Sequence, residues 1–200
     1  MRGLADVARE AAHCERCALY RHATQTVFGE GPADAAIMLV GEQPGDQEDL
    51  VGRPFVGPAG KILDRALNQA GLPRAAVYVT NAVKHFKFEE RGKRRIHQKP
   101  TRDEVQQCRW WLGQELDLVK PALVVALGVT AAHELTGRPI VLARERGKRI
   151  SLNGGWSMLA TIHPSAILRM PDETGREQAF EGLVGDLSLA VEMADSAPRR

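Results

Sequence analysis

Residues 35–73 read "AAIMLVGEQPGDQEDLVGRPFVGPAGKILDRALNQAGLP". The opening "AAIMLV" is apolar without strict alternation, the pattern of a strand covered on both faces of a sheet. The next twenty residues, 41–60, hold five glycines and three prolines, which makes a rigid loop that another group can approach closely. Beyond them Ile62, Leu63, Ala66, Leu67 and Ala70 fall on one helical stripe. Pro58 stands near the start of that helix, and Gly71 then Pro73 mark its end. Strand, glycine-rich loop and helix in that order form the repeating unit of an α/β fold.

The same alternation continues outward. Three further apolar runs, "AVYVTNAV" (76–83), "ALVVALG" (122–128) and "SMLATI" (157–162), read as buried strands. Between them "TRDEVQQCRWWLGQELDLVKP" (101–121) opens with Thr101 and Glu104 at capping-box spacing and stops before Pro121. Residues 173–194 read as a closing amphipathic helix and 195–200 as a frayed tail. The expected architecture is a three-layer α/β/α sandwich around a mainly parallel, four-stranded sheet, in a single domain spanning 1–200.

Composition narrows the function classes. The net charge of +2 is close to balance, so any affinity for nucleic acid must come from clustering. Between Lys84 and Arg102, nineteen residues hold eight Lys or Arg against two Glu, a local basic patch that contains "RGKRRIHQKP" (91–100). The N-terminal stretch has scattered charges and no apolar core segment, and no apolar run approaches bilayer length, so a cytoplasmic protein without membrane contact is expected, as a monomer.

In a parallel sheet the ligand site lies beyond the carboxyl ends of the strands. That rule brings together "GEQPGDQEDLVGRPFVGPAG", "TN", "LGVT" and "HPSA", and with them Glu42, Asn81 and His163. Glu42 and Asp49 are carboxylates able to polarise a nucleophile, and Phe55 offers a stacking face. Asn81 presents a donor and an acceptor side by side, which suits the edge of a nucleobase. His163, with its chain direction fixed by Pro164, is placed to steady a carbonyl oxygen that gains negative charge. Each of these alone is an ordinary structural residue; only their convergence points to a site. Cys14-x-x-Cys17 has a spacing shared by zinc and iron–sulfur sites, with Cys108 as a third donor and His85 as the candidate fourth. Spacing does not separate the two metals.

These motifs together resemble the uracil-DNA glycosylase superfamily, specifically its iron–sulfur branch, family 4. The resemblance runs from "CERC" through "GEQPGDQEDLVGRPFVGPAG" and "YVTNAVK" to "HPSAILR", nearly the whole chain. It implies that Glu42 helps cleave a glycosidic bond, that Phe55 stacks on uracil and Asn81 reads its edge, and that His163 stabilises the departing base. Gly41, Gln43, Asp46, Asp49 and Ser165 are expected beside them at the substrate. Thymine would be excluded by lack of room for its methyl group. The metal it implies is a 4Fe-4S cluster on Cys14, Cys17, His85 and Cys108, with zinc as the alternative, in a structural role.

Two departures sharpen the reading. Where family 4 has a cysteine after the second strand, this chain has "KHF", and it inserts a basic loop at about 86–100. With "GEQPG" in place of "GEAPG", both are similar to the UdgX-type members of the superfamily. That likeness implies covalent attachment to C1′ of uracil-containing DNA, single-stranded for preference, through the loop histidine, here His97. Lys93, Arg94, Arg95, Lys99 and Arg169 would hold the DNA backbone. Read without the resemblance, His97 is a solvated loop histidine or a phosphate contact. The competing expectations are a glycosylase that turns over and releases uracil, and a non-catalytic, metal-stabilised nucleic-acid-binding protein.

Overall fold

The structure is a computed structural model that describes residues 2–196. Of the tail expected at 195–200, residues 197–200 lie outside the described residues. The chain opens with α1 (Leu4–Ala11), followed by β1 (Ile37–Gly41), α2 (Asp46–Val51), α3 (Pro58–Gln69) and β2 (Val77–Asn81). A hairpin of β3 (Phe88–Arg91) and β4 (Arg94–His97) precedes α4 (Arg102–Val119), β5 (Leu123–Leu127), α5 (Val129–Thr136) and α6 (Leu142–Glu145). The chain then runs through β6 (Arg149–Ser151), β7 (Ser157–Thr161), α7 (Pro164–Leu168) and α8 (Glu173–Asp195).

The central sheet has the order β2-β1-β5-β7-β6, parallel except for β6, which runs antiparallel to β7. Three of the four buried strands fall within their apolar runs, and β1 ends one residue beyond its run, at Gly41. The expectation of four strands is corrected to five, because β6 is only "RIS", too short and too polar to show a period, and is stabilised as an edge. Alternate residues of the strands feed two cores. Ile37, Leu39, Val125 and Leu159 pack against Leu63 and Leu67 of α3 and Leu183 and Leu187 of α8. Met38, Val40, Val124 and Met158 pack on the other side against Leu112 of α4 and Ala131 and Leu135 of α5. Helices on both faces explain why the strands carry unbroken apolar runs instead of alternating ones.

Helix boundaries follow local chemistry. Pro58 fills the first turn of α3, where a missing N–H costs nothing. In α4 the Thr101 hydroxyl accepts from Glu104 N, and Glu104 Oε2 accepts from Thr101 N at 2.6 Å, the reciprocal box expected. The basic insertion is a hairpin and not an irregular loop. Its strands pair from Phe88↔His97 to Arg91↔Arg94, leaving a two-residue turn led by Gly92 at φ 62°. β3 and β4 pair with one another and join no other strand among the described residues.

Candidate active site

At the carboxyl ends of β1, β2, β5 and β7 lies a cavity of about 470 Å³. Glu42, Gln43, Phe55, Asn81, His97, His163, Ser165 and Arg169 all line it. Strand register brings several of them together: Gly41 at the end of β1 sits opposite Asn81 at the end of β2. A side chain on Gly41 would place its Cβ 2.3 Å from Asn81 Oδ1 and 2.6 Å from Phe55 Cζ, so only glycine lets the amide and the ring approach the strand end. Gly41 belongs to the wall behind the cavity and does not line it. Gly128, at φ 94°, starts α5 beside the end of β7, and its backbone N–H donates to Thr161 O at 2.9 Å. This contact sets the N-terminus of α5 next to His163.

Asn81 is 2% exposed, and its Oδ1 has no hydrogen-bond partner. A buried acceptor left unpaired costs about 1–3 kcal/mol, which a ligand N–H would recover. Phe55 is buried and held at φ 53°, uncommon for an aromatic residue. Arg74 restrains it by donating to Phe55 O at 3.1 Å and to Pro54 O at 2.6 Å. The Phe55 and His163 rings lie 5.8 Å apart.

The two imidazoles differ in setting. Ser165 N donates to His163 Nδ1 at 3.1 Å, so that nitrogen is the acceptor and the neutral ring carries its proton on Nε2. Burial is the main reason the His163 pKa drops to about 4; the nearby Arg169 charge pushes the same way and Glu42 opposes it. The ring is therefore a neutral donor at physiological pH. His97, at the end of β4, is half exposed and places Nε2 3.3 Å from Glu42 Oε1. Burial alone would raise the Glu42 pKa. Hydrogen bonds from His97 and Thr130 outweigh it and leave the carboxyl below the usual carboxylate range.

Gln43 serves the hairpin. Its Nε2 donates to Lys87 O (3.2 Å) and Gln98 O (3.1 Å), and its Oε1 accepts from Lys87 N (3.3 Å). Both legs of the hairpin are thus gripped at the neck by one amide. Asp46 and Asp49, expected at the substrate, do not line the cavity. Arg95 donates to Asp46 Oδ1 and Asp49 Oδ2, both at 2.6 Å, while the fully buried Asp49 also accepts from Thr24 N. This corrects two expectations, because the carboxylates fasten the hairpin and Arg95 is committed to them and not free for DNA. Lys93, Arg94 and Lys99 remain exposed on or beside the hairpin. Sequence reasoning missed Thr130 and Glu48, both lining the cavity. "LGVT" marks the place of the first and "GEQPGDQEDLVGRPFVGPAG" that of the second, without singling out either side chain.

The proposed metal donors gather only in part. The Cys17 thiol has its pKa lowered to about 4, chiefly by a hydrogen bond from Cys108 and also by His85, while the buried Cys108 thiol is pushed up. His85 Nε2 lies 3.0 Å from Thr26 Oγ1, and its buried Nδ1 has no partner. Cys14 stands apart, among Val7, Ala11 and Trp111, with the Trp111 indole donating to its sulfur at 3.0 Å. Among the described residues no group of three or more donors converges on one point. Two thiols and an imidazole nitrogen without a protein partner are donor types that suit a zinc or iron–sulfur site, while Cys14 lies apart from them against Trp111.

The fold is that of an α/β protein whose strand ends and hairpin bring a carboxylate, an unpaired amide oxygen and two imidazoles to one cavity. Residues 28–188 match the uracil DNA glycosylase superfamily, and the chain belongs to it. It is 37% identical over 164 residues to the type-4 uracil-DNA glycosylase of Thermotoga maritima, covering 82% of each chain. It is 36% identical over 195 residues to the type-4 enzyme of Archaeoglobus fulgidus, covering 94% of each. Likeness to the type-5 uracil-DNA glycosylase of Pyrobaculum aerophilum is 31% over 159 residues, covering 68% of this chain and 64% of that one.

Proposed function

We propose that the protein excises uracil from DNA and is captured by it, through a covalent bond from His97 to C1′ of the sugar. The observation that carries this reading is the placement of His97 on a two-point-anchored hairpin, 3.3 Å from Glu42, inside the cavity that also holds Asn81 and His163. Uracil reaches such a cavity only when it is flipped out or offered by a single strand. Its ring would lie on Phe55. Its N3–H, flanked by two carbonyl oxygens, is the donor that Asn81 Oδ1 lacks.

As the C1′–N1 bond breaks, its electron pair passes to uracil N1, and the negative charge spreads onto the ring oxygens. The neutral His163, with Nδ1 occupied by Ser165, donates from Nε2 to that charge. The unprotonated nitrogen of His97 gives its lone pair to C1′, and the proton on the other ring nitrogen passes to the Glu42 carboxylate. The product is an imidazole N-glycoside with no facile leaving group, so the protein works once. Lys93, Arg94, Lys99 and Arg169 would meet the phosphates, which makes binding salt-dependent. Cys14, Cys17, His85 and Cys108 would hold a 4Fe-4S cluster or zinc that ties the N-terminal segment to the root of the hairpin. Visible absorbance and metal analysis of the purified protein decide between them. We further infer that the chain acts as a monomeric single domain.

The test is a denaturing gel of the protein mixed with labelled single-stranded DNA that contains one uracil. A shifted band that survives heat and detergent is expected. Abasic DNA without a shifted band would mean ordinary turnover with water held by Glu42, and unchanged DNA would mean a binding module.

A further inference from the structure

Glu48 is the one carboxylate of the cavity that has no part in the chemistry above. It is 6% exposed on α2, facing inward. Its Oε1 accepts from Gly57 N at 2.7 Å and its Oε2 accepts from Gly45 N at 3.1 Å. Gly45 caps α2 and Gly57 caps α3, so one carboxylate closes both ends of a loop that carries Gly52, Pro54 and Phe55. Phe55 lies two residues before Gly57 in a backbone conformation that an aromatic residue does not hold unaided. Its carbonyl is also confined by Gly60, where a Cβ would lie 1.9 Å from Phe55 O.

We propose that Glu48 is a positioning residue that holds the Phe55 ring in its base-stacking place by pulling Gly57 and Gly45 together. This rests on the reading of Phe55 as the stacking face for uracil. Two N–H groups need two acceptors, and a carboxylate supplies both. A glutamine of the same shape supplies one acceptor and turns an NH2 group against the other N–H. The loop should then open at one end, and Phe55 should relax towards ordinary φ values.

The experiment is single-turnover uracil excision from labelled single-stranded DNA, with protein in excess, which reads the reaction whether or not it ends in capture. Glu48→Gln should raise the half-saturating protein concentration by about ten-fold and change the maximal rate much less, because stacking is made before the bond breaks. In a Phe55→Ala background the same substitution should add nothing, since the two act through one ring. Gly57→Ala approaches the contact from the other side. Its φ of −82° suits any residue, but the new methyl would lie 3.0 Å from Glu48 Oε1 and should give the same pattern. Melting and circular dichroism confirm that each variant folds. A weakening that adds in full to that of Phe55→Ala, or no weakening from either variant, would overturn the proposal. If Phe55→Ala alone leaves half-saturation unchanged, the stacking reading itself fails and the role of Glu48 goes with it.

Discussion

At the scale of single residues, the proposed capture depends on what His97 and Glu42 are free to do. His97→Ala should abolish the heat-stable band, and its persistence would end the assignment of the nucleophile. His97→Ser leaves room for water beside Glu42 and should convert capture into release of uracil, seen as abasic DNA accumulating beyond one equivalent. Thr130 tunes the carboxylate. Removing its hydroxyl in Thr130→Val takes away a bond to the charged form, raises the Glu42 pKa and should move the acid limb of the rate profile to higher pH. An unmoved limb would show that Thr130 does not reach the carboxylate in solution. The residues legible in the sequence were those whose type announces chemistry at a strand end: Glu42, Asn81, His163, and His97 by resemblance. Thr130 and Glu48 carried no such signal, because their importance lies in which backbone and side-chain atoms they meet.

At the scale of elements, the basic hairpin shows how composition can mislead in detail while pointing to the right segment. Eight cations within nineteen residues suggest a uniform grip on phosphate, yet Arg95 is spent on Asp46 and Asp49, and Lys87 pairs with Glu104 at 2.8 Å. Arg95 also lies over the Phe86 and Phe88 rings, 5.5 Å and 5.0 Å from their centroids. We expect Arg95→Lys, which keeps a cation beside the buried Asp49 but loses the fork that spans both aspartates, to leave the melting temperature nearly unchanged while capture slows by about ten-fold or more. Faster amide exchange in β3 and β4 alone would accompany it. Exchange that rises throughout the central sheet would mean Arg95 supports the whole fold. The central strands and long helices were legible because burial on two faces leaves unbroken apolar runs and caps leave fixed spacings. The pairing of β3 with β4 and the edge strand β6 were not, since polar strands of three or four residues carry no burial pattern.

At the scale of the whole molecule, a buried ion pair weighs on stability. Lys84 and Glu115 are both fully buried and paired at 2.5 Å, with Tyr78, Thr80 and Gly29 N completing the network on Glu115. Lys84→Met should cost about 3–5 kcal/mol by stranding the carboxylate among neutral donors, a fall of about 10 °C or more in Tm. His163 adds a pH dependence. Its folded pKa of about 4 lies below the ordinary 6.5, so between those values the unfolded chain binds a proton that the folded chain refuses. Stability is then lost as pH falls from about 6.5 towards 4, on the order of 2 kcal/mol between pH 7 and pH 5. His163→Asn should remove that part of the slope in denaturant titrations, and an unchanged slope would refute it. The hairpin neck has a different kind of consequence. Gln98 N donates to Lys87 O at 2.9 Å, so the segment leaves and re-enters the body at neighbouring points, and its strands pair with no other strand among the described residues. An excursion of this kind can be gained or removed with little loss of sheet or core. The hairpin is in that sense a detachable arm: a glutamine holds it at the neck and two aspartates at its side, and shortening it would leave the strand order of the central sheet intact.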